Sequence, residues 1–200
     1  MFTGIIEDIG TVTNVTPLSM AVELELKTTK IPLDEVKLGD SIAINGICLT
    51  VTSKKHDENK FSVQAVKETI DRTTLTMWKK GSLVNLERAL SYAGRIDGHL
   101  VSGHVDDRGR ITRINSSGAQ TTFTVNYPPE LKSFLSLKGS ICVDGISLTV
   151  ASLSSAAFDV AVIPFTKEHT ILRYKRVGDL VNLEVDLIAR HVYAMMNPRR

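Results

Sequence analysis

Two side chains able to act as nucleophiles, Cys48 and Ser147, hold the same place in two copies of one motif. Asn45-Gly46-Ile47-Cys48-Leu49-Thr50-Val51 returns as Asp144-Gly145-Ile146-Ser147-Leu148-Thr149-Val150, 99 positions later (145 − 46). A free thiol titrates near ~8.5 and reacts as its thiolate. A serine hydroxyl is weak until a base or anion activates it. Each has a plainer reading: Cys48 as a small buried hydrophobe, Ser147 as a turn residue after Asp-Gly. Matched positions with different reactive groups point to two similar pockets that have diverged in role. His104 follows Gly103 where Ile5 follows Gly4. The second copy thus places a group titrating near ~6.5, fit for acid–base work at neutrality, where the first has an aliphatic one. His99 reads as a structural hydrogen-bonding residue. Cys142 lies in a strand run, Ile141-Cys142-Val143, and reads as core. His56, His169 and His191 share no ligand-like spacing, so no metal site is assigned.

These residues need a scaffold, and the scaffold is duplicated. Gly4-Ile5-Ile6-Glu7-Asp8-Ile9-Gly10 corresponds to Gly103-His104-Val105-Asp106-Asp107-Arg108-Gly109. Val66-Lys67-Glu68-Thr69 corresponds to Ile163-Pro164-Phe165-Thr166, and Gly81 to Glu87 corresponds to Gly178 to Glu184. So long a repeat means two duplicated domains; solenoid units run ~20–50 residues. The boundary falls near Ser91 to Asp97, before Gly98. Period-2 alternation marks half-buried strands: Val22, Leu24 and Leu26 against Glu23, Glu25 and Lys27, then Phe123, Val125 and Tyr127 against Thr122, Thr124 and Asn126. Asp40 to Gly46 reads as a strand entering a turn, and Leu49 to Ser53 as the strand after it. Many short strands with Gly and Asn turns predict a barrel or sandwich in each half. Brief helical turns are expected at Pro128-Pro129-Glu130, with Leu131, Phe134 and Leu135 on one face, and at the matching Pro32 to Val36. Asp186 is placed to cap a terminal helix carrying Ile188, Val192, Met195 and Met196 on one stripe. A lone helix this short is marginal in water. It needs a partner surface, either another subunit or its own barrel.

Bulk properties exclude several function classes. The 200 residues are 42% hydrophobic and 23% charged, with a net charge of +2. That balance implies neither a nucleic-acid partner nor any other polyanion. Arg199-Arg200 forms a short basic tail. Two cysteines at non-matching positions argue against a disulfide framework and for a reducing, cytoplasmic setting. The first residues lack the basic n-region of a signal peptide. No stretch approaches the ~18 apolar residues of a membrane span. Domains of roughly 90 residues are small for independent cores, so the halves should pack together or the chain oligomerise.

Several motifs together resemble riboflavin synthase of the heavy-subunit type. They are Met1-Phe2-Thr3-Gly4-Ile5-Ile6, the Asn45 to Val51 box, Val66-Lys67-Glu68-Thr69, Gly98-His99-Leu100-Val101-Ser102-Gly103-His104-Val105-Asp106, and the Asp144 to Val150 box. The resemblance runs from Met1 to about Asp186. It implies an all-β fold: two six-stranded Greek-key barrels in tandem, residues 1–97 and 98–186, each binding a lumazine. It implies a C-terminal helix and tail, residues 187–200, joining three chains into a homotrimer. The implied reaction is dismutation of two 6,7-dimethyl-8-ribityllumazine molecules. One yields a four-carbon unit to the other, giving riboflavin and 5-amino-6-(ribitylamino)uracil without a metal or redox cofactor. One substrate is expected in the N-terminal barrel of one subunit, the other in its neighbour's C-terminal barrel. Association with lumazine synthase is a further implied partnership.

The resemblance also assigns residues. Ser147, Asp186, Cys48 and His104 become the catalytic candidates, with the Asp186 carboxylate accepting or orienting the Ser147 proton. Gly4, Ile5 and Ile6 with Cys48, Leu49 and Thr50 are expected at the N-terminal site. Gln64, Ala65, Val66, Lys67, Glu68 and Thr69 complete it. The C-terminal site is expected to use Gly103, His104, Val105, Lys138, Ser147, Leu148 and Thr149. Ile163, Pro164, Phe165, Thr166, Lys167 and Glu168 join it. Phe165 departs from the pattern, standing where relatives carry an acidic residue such as Glu68. Two other functions are weighed. A non-catalytic lumazine or flavin antenna of the same fold looks degraded around the segments this chain keeps at His99, Gly103, His104, Ser147 and Thr149. A flavoprotein oxidoreductase should bring a Gly-rich dinucleotide fingerprint, which does not occur here.

Overall fold

Alternating side chains close two sheets on themselves. The computed structural model describes residues 1–198, so the Arg199-Arg200 tail lies outside the described residues. In the first half, β1 (Asp8–Pro17), β2 (Ala21–Lys27), β3 (Ser41–Ile44), β4 (Ile47–Lys55), β5 (Lys60–Val66) and β6 (Leu83–Arg88) form a closed antiparallel barrel in the order β1-β2-β5-β4-β3-β6. The second half repeats it with β7 (Asp107–Ser117), β8 (Gln120–Asn126), β9 (Ser140–Val143), β10 (Ile146–Leu153), β11 (Ala157–Val162) and β12 (Leu180–Val185). The order is again β7-β8-β11-β10-β9-β12 around the ring. Closure leaves no strand edge open to another chain. The inward residues fill each lumen: Val12, Leu24, Leu26, Phe61, Val63 and Leu86 in the first, Ile111, Phe123, Val125, Phe158 and Leu183 in the second. Burial of each such side chain contributes roughly 1.5–3 kcal/mol.

The duplication extends to irregularities. Register slips at Thr13 in β1 and Thr52 in β4 recur at Thr112 in β7 and Ala151 in β10. At three of them the extra residue's hydroxyl bonds the partner strand: Thr13 to the Glu25 carbonyl, Thr112 to that of Thr124, Thr52 to that of Ser62. Such bulges bend a strand and raise its twist, which a six-stranded barrel requires.

A short helix follows each fifth strand: α1 (Lys67–Arg72) after β5 and α2 (Pro164–Glu168) after β11. Sequence periodicity does not reveal them, because six and five residues are too few to show a stripe. Pro129–Phe134 forms the expected brief helix as a tight three-residue-per-turn one. Pro32 to Val36 does not become a helix; it closes only turns, Glu35 N–H to Pro32 O and Val36 N–H to Leu33 O. β4 starts at Ile47, two residues before the expected Leu49, since the preceding turn needs only Asn45 and Gly46. The terminal helix α3 (Leu187–Met196) starts at Asp186, whose Oδ1 accepts the Ile188 N–H at 2.8 Å. Arg190 ties α3 to Asp106 through a bidentate ion pair at 2.7 and 2.9 Å, and Tyr193 packs on Phe134. The stripe of Ile188, Val192, Met195 and Met196 nevertheless stays exposed, so the chain's own barrel does not cover it.

The halves meet across a pseudo-twofold. Asn45 and Gly46, like Asp144 and Gly145, take positive φ, the geometry of a two-residue type I′ hairpin. The two turns touch tip to tip; a β-carbon on Gly46 would lie 2.8 Å from the Gly145 nitrogen. Two asparagines clasp the contact. Asn85 accepts the Ile171 N–H and donates to the Asp144 carbonyl, both at 2.8 Å. Asn182 accepts the Thr74 N–H and donates to the Asn45 carbonyl, again at 2.8 Å. Lys175 reaches the fully buried Asp144 carboxylate at 2.8 Å. Phe2 and Val101 add a two-bond bridge between the segments that precede the barrels.

Candidate functional site

The paired boxes put their reactive side chains on the outer faces of the barrels. Strand residues alternate sides. Leu49 and Leu148 therefore point inward and are buried, while Cys48 and Thr50, like Ser147 and Thr149, point out. Ala65 is likewise buried in the first core. Leu49, Ala65 and Leu148, expected to line pockets, can meet a ligand through backbone alone.

Each outer face is crossed by a segment from the other half. The Ser147 N–H donates to the Gly4 carbonyl at 2.8 Å, and the Cys48 N–H donates to that of Gly103 at 2.9 Å. Ile6 packs on the second core and Val105 on the first. This corrects the sequence expectation: Gly4 and Ile6 belong with Ser147, and Gly103, His104 and Val105 with Cys48, while Ile5 lines a separate cavity with Thr3, Ile42 and Glu87. A linear repeat does not show which copy a segment packs against; here each segment leaves its own last strand and crosses the pseudo-twofold. A buried carboxylate anchors it before it crosses. Glu87 on β6 accepts the N–H and hydroxyl of Thr3 and the Gly4 N–H. Glu184 on β12 accepts the N–H and hydroxyl of Ser102 and the Gly103 N–H. Burial pushes both carboxyls above the ordinary carboxylate range, and those donors pull them part of the way back. Both residues end the matched Gly81–Glu87 and Gly178–Glu184 repeats, where their type alone does not mark them as anchors.

The first groove is a cavity of about 270 Å³ lined by Ile47, Cys48, Val66, Glu68, Thr69, Arg72, Thr73, Gly103, His104 and Val105. It unites three sequence-separated segments at one place. Arg72 and Thr73 were not anticipated; the signal is Arg72 four residues after Glu68, 3.8 Å from it on one face of α1. Gln64 is exposed on β5 outside this lining, and Lys67 pairs with Asp71. His104 is exposed at the rim, its N–H bonded to the Ser102 hydroxyl.

At the second groove Ser147 sits beside His99. The Ser147 Oγ and His99 Nδ1 are 2.7 Å apart. Asp186, expected to bond Ser147, instead caps α3, and its charge acts on His99. Burial lowers the His99 pKa, and the Asp186 carboxylate partly restores it. Ile163, Pro164, Phe165 and Glu168 on and before α2 are exposed, with Phe165 stacked on His169 at 4.1 Å. Thr166 accepts the Thr170 hydroxyl through its carbonyl, and Lys167 donates to Thr121. Lys138 is exposed with φ +66°, where the first copy has Gly39 at +91°. A lysine in the left-handed region costs energy that glycine avoids. Cys142 is fully enclosed, and burial holds its thiol well above the usual range, which makes it inert.

Known proteins resemble this chain in sequence and in fold. A lumazine binding domain model matches the chain twice, over residues 3–89 and 102–186. A riboflavin synthase of Bacillus amyloliquefaciens is 46% identical over 197 residues, 98% of this chain and 90% of that protein. One of Mycobacterium tuberculosis is 41% identical over 199 residues, covering 98% of each. The crystal structure of LumP complexed with riboflavin superposes with a TM-score of 0.83 at 19% identity, over 92% of this chain and 99% of that one. LumP complexed with 6,7-dimethyl-8-(1'-D-ribityl) lumazine gives 0.81, also at 19% identity and the same coverage. At that identity the likeness is one of fold.

Proposed function

The chain belongs to the riboflavin synthase family and carries its activity, and we propose that it dismutates two 6,7-dimethyl-8-ribityllumazine molecules where the first groove of one copy meets the second groove of another. The observation that carries this reading is the repeated outer face, with Cys48 under the Gly103 segment and Ser147 under the Gly4 segment. Two like grooves suit two copies of one substrate, and their different reactive residues suit a donor and an acceptor. Within one chain the Phe2–Val101 bridge lies between the Cys48 and Ser147 faces, which argues for a partner copy as the roof of each groove. Holding two bicycles face to face supplies much of the rate, since effective molarities reach ~10⁵ M or more.

Glu68 and Thr69 suit the ribityl hydroxyls of the first lumazine. Thr166, Lys167 and the costly left-handed Lys138 suit the second. Cys48 and His104 face the first ring, Ser147 the second. The bare stripe of α3 supports assembly as a homotrimer, and association with lumazine synthase is part of the same proposal. Two free thiols fit a cytoplasmic setting. The antenna alternative is the weaker, because the 41–46% identities are to synthases and the LumP likeness stands at 19%.

Mixing two blocked variants tests the shared site. Thr69→Trp fills the first groove and Thr166→Trp the second, and each alone should be inactive. Refolded together, they should recover about a quarter of wild-type activity, the chance that random pairing unites two open grooves. A mixture as dead as its parts would put both grooves of a working site on one chain.

A further inference from the structure

Resting on the lumazine reading above, we propose that His99 takes the Ser147 proton at the second groove and that Asp186 steadies the imidazolium so formed. Ser147 faces outward from β10, its N–H fixed to the Gly4 carbonyl. Its Oγ lies 2.7 Å from His99 Nδ1, within reach for proton transfer. The backbone on either side holds His99 there. The His99 N–H donates to the Thr3 carbonyl at 3.1 Å. The preceding Gly98 lies flat on Ser147; a β-carbon on it would stand 2.8 Å from the Ser147 Cβ and 2.1 Å from the Thr3 oxygen.

The groups that act on the ring come from three places. β10 brings Ser147. The Thr3–Gly4 segment brings backbone, with the Glu87 carboxylate bonded behind it. The start of α3 brings Asp186, whose charge acts on the ring. Burial keeps His99 neutral at neutral pH, the form that can accept a proton. With its own proton on Nε2, the ring offers the Nδ1 lone pair to the hydroxyl.

The C–H bond of the lumazine C7 methyl breaks, and its proton goes to Ser147 Oγ. The Ser147 hydroxyl proton passes at the same time to His99 Nδ1. The C–H electron pair stays on the lumazine, spread over the pteridine ring. The Asp186 charge favours the positive imidazolium, and the proton returns by the same route when the product forms. His99 acts through Ser147, and Asp186 through His99, so both are positioning residues.

The test measures lumazine turnover and lumazine binding in His99→Asn, Ser147→Ala, the double variant and Asp186→Asn. Asn can keep a hydrogen bond to Ser147 yet takes no proton. His99→Asn should lose ~10²-fold or more in kcat while lumazine binding changes by less than about twofold. The double variant should be no slower than Ser147→Ala alone, as expected of residues acting as one unit. The wild-type rate should fall toward acid as His99 protonates. Asp186→Asn keeps the helix cap, since Asn caps as well as Asp, but removes the charge that favours imidazolium. Its acid limb should therefore move to lower pH. That arm decides the matter even if the His99 variants fail to fold. A His99→Asn enzyme as fast as wild type, or an acid limb unmoved in Asp186→Asn, overturns the relay. A wild type that leaves lumazine unconverted overturns the functional reading instead.

Discussion

Asn182→Ala removes both arms of one half of the interdomain clasp. Thr74 N–H and the Asn45 carbonyl, in residues only 4% and 3% exposed, lose their partners. Each intramolecular hydrogen bond contributes about 1 kcal/mol net, and a buried group left unpaired costs ~1–3 kcal/mol. The expected loss is therefore ~2–4 kcal/mol, or roughly 5–15 °C in Tm for a chain of this size. Thr74 directly follows α1 and Thr73, so the same change should loosen the wall of the first groove and weaken lumazine binding there. Asn85→Ala should act alike on Ile171 and the segment after α2. Calorimetry and urea unfolding followed by circular dichroism measure the loss. With both asparagines gone, the barrels should melt in two separate transitions. A loss below about 1 kcal/mol, with one cooperative transition kept in the double variant, would refute the idea that these side chains hold the barrels in register.

Three further outcomes are expected. Gly103→Ala puts a β-carbon 2.4 Å from the Cys48 Cβ at φ +82°, so the crossing segment must shift, and lumazine titration should show weaker binding; unaltered affinity would contradict the packing described. Lys175→Met leaves the buried Asp144 carboxylate without its cation and should cost ~3–5 kcal/mol, whereas Asp144→Asn with Lys175→Trp installs the residues that hold the corresponding positions of the first half, Asn45 and Trp78, and should recover most of it, as unfolding midpoints will tell. Glu87 and Glu184 titrate above their unfolded value of 4.5, so the folded state binds their protons more readily. Their contribution to stability is present below pH 4.5 and lost as pH rises through the raised folded values. Replacing either with Gln should flatten that fall in urea midpoint between pH 4.5 and neutrality, and an unchanged slope would count against it.

Much of the fold is legible in the chain because duplication and alternation are local signals. The Asn-Gly and Asp-Gly turns, the strands around Leu24 and Val125, and the Asp186 cap all follow from residue type and spacing. What the chain conceals is three-dimensional. Nothing in a linear repeat tells that Gly4 leaves Glu87 to cover Ser147, or that Gly103 leaves Glu184 to cover Cys48. The His99–Ser147 bond joins residues 48 positions apart through a linker that periodicity cannot describe. Glu87 and Glu184 carry no motif signal of their own, because a buried carboxylate and a surface one share the same letter. α1 and α2 are too short for a hydrophobic stripe, and single local bonds from the Thr73 and Thr170 hydroxyls to the carbonyls of Thr69 and Thr166, four residues earlier, hold their ends.

The most direct measurement supplies the purified protein with 6,7-dimethyl-8-ribityllumazine alone and follows both products with time. One riboflavin and one 5-amino-6-(ribitylamino)uracil should appear for every two lumazines consumed, with no added cofactor. Lumazine that binds tightly and is recovered unchanged would contradict it.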